Sequence, residues 1–78
     1  MAWFDIADSI TILHHIVRDP NNSQRLIRAT TLALRRLARL SKDRQAASRA
    51  LGIAAEQLPD RQQAKATMTR AADFLSKG

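Results

Sequence analysis

The side chains in this sequence best equipped to do chemistry are arginines, and their spacing gives them a direction. At about 100° per residue, Arg25, Arg28, Arg35, Arg36, Arg39 and Lys42 gather within roughly a third of one helix's circumference. Leu26, Ile27, Thr30, Ala33, Leu34, Leu37 and Leu40 take the opposite arc. One face can then dock on the protein while the other presents a ladder of guanidinium groups. Guanidinium is planar and permanently charged, and it matches phosphate or carboxylate with two parallel hydrogen bonds. A stripe of this length can track several phosphates, with an affinity that falls steeply as salt rises. Leu32 lies inside the basic arc, gives it a part-apolar character and is, with Trp3 and Phe4, a candidate protein-interface residue. The same pattern also keeps an amphipathic helix dissolved. Asp5, Asp8 and Asp19 could neutralise part of it, within one chain or across a dimer.

Other reactive groups are sparse. His14 and His15 are neighbours and diverge by about 100° on a helix, so they cannot share a metal as a pair four residues apart could. His14 borders an apolar face and is expected to be partly buried, with His15 outward. No serine stands in a nucleophile-elbow context, and there is no cysteine. No glycine-rich phosphate loop is present. Asp5 and Asp8 read as complements to a helix dipole rather than as a catalytic pair. The expectation is a binding protein, not an enzyme, with no cofactor and no metal. Trp3 and Phe4 are expected to act as core or interface anchors, tryptophan being a residue type that dominates binding energy. Without aromatics along the basic stripe, single strands cannot be held there by base stacking.

The elements that must position these groups are helices. No alternating β-branched or aromatic run is long enough for a strand, and Gly52, Pro20 and Pro59 punctuate the interior. A first helix runs from about Trp3 to Val17, with Trp3, Ile6, Ala7, Ile10, Leu13 and Val17 on one face, and Pro20 ends it. Asn21 then caps, with Gln24 reaching back. From Ser23 to Gly52 nothing interrupts, so the spacing of Leu26, Thr30, Ala33, Leu37, Leu40, Arg44, Ala47 and Leu51 predicts one long middle helix. Thr30 and Arg44 spoil that seam. A break near Ser41-Lys42-Asp43, capped by Ser41 or Asp43, is the alternative. Residues 53 to 59 form a connector, and Asp60 opens a last helix to about Ser76, with Ala64, Met68, Ala71, Ala72, Leu75 and Phe74 inward. Gln45 to Ile53 resembles the first helix and turn of a helix-turn-helix, but Pro59 follows where a recognition helix should run, so Gly52 reads as a helix C-cap.

Residues 1–78 therefore make a single all-α domain, a small antiparallel bundle of three helices, or four if the middle one breaks. The expected core is Trp3, Ile6, Ile10, Leu13, Val17, Leu26, Ile27, Leu34, Leu37, Leu40, Leu51, Met68 and Leu75. A 78-residue chain without disulfides has a thin core, which a homodimer or a larger partner would complete. The net charge of +6 is concentrated in residues 23–52, whose net is +7, against −2 for residues 1–22 and +1 for residues 53–78. No run approaches the roughly 20 apolar residues of a membrane span, and the acidic start is unlike a signal peptide, so no membrane association and a cytoplasmic location are expected. The partner is expected to be a polyanion: a nucleic acid, or an acidic protein surface if the chain is a regulator, inhibitor or assembly factor of phage or mobile-element type.

Overall fold

A computed structural model describes residues 2–58 and 61–77. The described residues are helical and connecting turns, with four helices: α1 (Ala2–Arg18), α2 (Gln24–Ala38), α3 (Arg44–Glu56) and α4 (Gln62–Lys77). None is long and apolar enough to cross a membrane. α1 packs on α2 and α4, and α3 packs on the same two, while the diagonal pairs do not approach. The expected cap at Asp60 and the stop at Pro59 lie outside the described residues.

The long middle helix does not form. Residues 24–52 as one rod would reach about 43 Å at 1.5 Å per residue, and the whole molecule is 34 Å in its longest dimension. Folding the rod in two buries both halves of its apolar seam. The break uses backbone turns without glycine: Arg39 N–H bonds to the Arg36 carbonyl, Leu40 N–H to Leu37, and Lys42 N–H to Arg39. Asp43 then caps α3, accepting from Ala46 N–H at 3.0 Å. The cap of α2 is Ser23, which accepts from Leu26 N–H, and not Asn21.

α3 also runs further than expected. It passes straight through Gly52 to Glu56, with no positive φ, so Gly52 is an interior helical residue and no C-cap. The anticipated connector shrinks accordingly, and the helix-turn-helix likeness fails because no turn exists at Gly52.

The core holds Ile6, Leu13 and Ile16 from α1, Leu26, Ala33 and Leu37 from α2, Leu51 and four alanines from α3, Leu58, and Met68, Ala71, Ala72 and Leu75 from α4. Ile10, Leu34 and Leu40 pack against it partly buried, and Val17 and Ile27 are half-buried. Trp3 does not join it, being 58% exposed. α1 is rotated relative to its expected face, because it must touch two helices: the buried line is Ile6, Ser9, Leu13 and Ile16. Of the two residues that spoil the seam, Thr30 is satisfied, and Arg44 stacks on a ring while its buried Nε–H has no partner among the described residues. The Thr30 hydroxyl, fully buried, donates to the Leu26 and Ile27 carbonyls, and Arg44 lies 5.5 Å over the Phe74 ring.

Two buried serines make opposite contributions. Ser48 Oγ donates to the Ala72 carbonyl at 2.6 Å, joining α3 to α4 where alanines let the backbones approach. Ser9 Oγ is buried with no partner. A buried hydroxyl left unsatisfied costs about 1–3 kcal/mol, whereas a made hydrogen bond contributes about 1 kcal/mol. Ser9→Ala is therefore expected to raise the melting temperature and Ser48→Ala to lower it. Each shift should be several degrees for a chain of this size, read by thermal circular dichroism.

Candidate polyanion-binding face

α2 holds four arginines and no acid. Arg25, Arg28, Arg35 and Arg36 are exposed, and so is Arg39, the residue that caps the helix. From Arg25 to Arg39 the stripe spans about 21 Å along the helix axis. Lys42 is exposed as well, but it lies in the turn after α2 and not on the helical stripe.

None of these six residues is ion-paired among the described residues. The single ion pair found there joins Arg70 to Asp5 at 3.3 Å, between α4 and α1. Asp19 accepts from Asn21 N–H, and Asp8 lines a shallow groove with Thr11, Ile12, Gln63, Ala64 and Thr67 of the α1–α4 side. The three acids that could have neutralised the stripe within one chain are thus engaged or placed elsewhere. Among the described residues no carboxylate is ion-paired to the stripe.

Leu32 stays with the arginines, at 37% exposure, but it faces a groove and not isolated solvent. This groove, about 360 Å³, runs between α2 and α3 and is lined by Leu32, Arg36, Asp43, Ala46, Arg49, Ala50 and Ile53. Arg49 and Ile53 are functional candidates that the sequence reading missed. With α3 ended at Gly52, Ile53 belonged to a connector. Extending the helix through Gly52 puts Arg49 and Ile53, four residues apart, on one outer face.

Trp3 and Phe4 belong to α1 and not to the α2 stripe. Trp3 packs edge-on against Phe74, centroids 5.2 Å apart at 74°, and Phe74 in turn carries the Arg44 guanidinium. Phe4 is 67% exposed. Trp3 and Phe74 form an apolar rim where α1 begins and α4 ends.

His14 is exposed, contrary to the partial burial expected of it, and borders an apolar groove with Ile10, Leu34, Leu37 and Ala38. α1 is turned so that Leu13 and Ile16 take the interior positions. His15 is also exposed. Among the described residues no group of three His, Cys, Asp or Glu side chains is placed to hold a metal.

No family model matches the chain, and no curated protein or solved structure is significantly similar to it.

Proposed function

We propose that this is a non-catalytic binding protein that holds the phosphate backbone of a nucleic acid on the outer face of α2. Arg25, Arg28, Arg35, Arg36 and Arg39 make the contacts, and Lys42 extends them past the helix end. The observation that carries this reading is the unpaired state of the stripe: five exposed guanidinium groups and no carboxylate partner among the described residues. Like charges held this close repel one another, and a polyanion relieves that repulsion while releasing its own counterions. The face carries no set of side chains arranged to read base edges, so binding is to backbone and depends little on base sequence.

The reading takes the molecule as an up-and-down bundle working in the cytoplasm. The pairings of Trp3 with Phe74 and of Asn22 with Arg61 support opposite directions for α1 and α4. Trp3 and Phe4 are its protein-contact residues, and a second copy seated on them would make a homodimer with two arginine stripes.

Anisotropy titration of labelled duplex DNA and RNA tests the proposal. Five arginine contacts and that of Lys42 predict a slope of about −5 in log affinity against log salt, or roughly a thousandfold loss between 50 and 200 mM. A flat salt response, or no binding even at low salt, would overturn it and direct attention to an acidic protein partner.

A further inference from the structure

Among the described residues four large apolar side chains are exposed, and they fall in two places. Trp3 and Phe4 sit at the start of α1. Leu32 and Ile53, on different helices, line the same groove. A phosphate backbone gains nothing from either aliphatic side chain, and the groove has no aromatic platform on which a base could stack. Its composition therefore points to a ligand other than the one assigned to the stripe.

The groove is built like a seat for a helix. From α3, Ala46, Ala50 and Ile53 follow one another at spacings of four and three, which aligns them on one face. Across from them, Leu32 and Arg36 stand one turn apart on α2. The two alanines keep the floor low, so a third helix can approach closely, while Leu32 and Ile53 offer apolar contact on either side. Arg36 stands on one wall and Arg49 on the other. The one acid in the lining, Asp43, is held as the cap of α3.

We propose that this groove binds an amphipathic, acidic helix of a partner protein. Aliphatic side chains of the partner, spaced three and four apart, lie over Leu32, Ala50 and Ile53, and flanking glutamates or aspartates meet Arg36 and Arg49. Charge selects this occupant. A second copy seated face to face would bring its own basic α2–α3 layer against an equally basic one. The groove shares Arg36 with the assigned phosphate contacts, but Leu32, Arg49 and Ile53 lie outside them, so the two sites can be tested apart.

The test uses a labelled synthetic helical peptide with leucines at three-and-four spacing and glutamates on its remaining faces, beside a scrambled peptide of the same composition. Saturable binding at least tenfold tighter for the amphipathic peptide supports the proposal. So does its loss, by about tenfold, in a Leu32→Ser/Ile53→Ser double variant that retains wild-type affinity for duplex DNA. Equal binding of both peptides would reduce the interaction to charge and overturn it. Loss of DNA binding in the double variant, with peptide binding unchanged, would assign the groove to the nucleic acid instead. Should the double variant melt early, amide shift mapping on the wild-type chain decides: peptide-induced shifts at Ala46, Ala50 and Ile53 support the site, and shifts confined to α1 and α4 refute it. Failure of the nucleic-acid reading would show separately, as unchanged DNA affinity when the α2 stripe is reversed.

Discussion

Reversing Arg28, Arg35 and Arg39 to glutamate is expected to weaken nucleic-acid binding by more than a hundredfold and to flatten its salt dependence by about three units of slope. Three phosphate contacts are lost, and three anions are placed against the backbone in their stead. All three positions are exposed and unpaired, and glutamate is nearly as good a helix former as arginine, so the circular dichroism spectrum should be unchanged. The substitution also takes the net charge from +6 to zero, which by itself would weaken attraction to any polyanion. Reversal of Arg61, Lys65 and Lys77 removes the same charge from residues outside the stripe and is the matched control. Anisotropy titrations of both variants at equal salt separate the cases. A stripe-specific site predicts a large loss in the first and a modest one in the second. Equal losses would mean that net charge alone does the binding.

The second large effect concerns stability. Leu51→Ala is expected to cost about 2–5 kcal/mol, because Leu51 is fully buried and its removal leaves a cavity that the surrounding helices fill only partly. For 78 residues the total stability is about 4–12 kcal/mol. One truncation therefore removes a large share of it. Ile53→Ala, two residues along the same helix, should change stability by well under half as much, since Ile53 is 52% exposed. Urea unfolding followed at 222 nm would show the contrast as a large shift in midpoint for Leu51→Ala and a small one for Ile53→Ala. Similar shifts for both would mean that α3 does not pack on the face described.

Much of this architecture was present in local pattern. The helical class, the approximate spans of α1 and α4, the inward side of α2 and the concentration of charge in residues 23–52 all follow from spacing, because a helix repeats every few residues whatever surrounds it. The outward face of Arg25, Arg28, Arg35, Arg36 and Arg39 was legible for the same reason. Asp43 was legible as one cap at a break, but local pattern alone could not choose between a broken helix and a rod. Both satisfy the apolar seam, and only the option of packing the two halves against α1 and α4 favours the break.

What the tertiary structure decided concerns neighbours rather than periodicity. Trp3 was expected inside and lies at a rim against Phe74, since its depth depends on where α4 ends beside it. The buried line of α1 moved to include Ser9 and Ile16, because a helix touching two others buries more than one stripe. Gly52 stayed helical, its weak propensity overridden by the packing of Leu51, Ala54 and Ala55 on either side. The groove of Leu32, Arg36, Arg49 and Ile53 belongs wholly to this second category. Its residues come from two helices, and no spacing along the chain brings Leu32 opposite Ile53. The sequence by itself determined which side chains are charged and which way α2 and α4 face. The fold alone determined which of those faces meet, because that depends on the summed burial of four helices and not on any one of them.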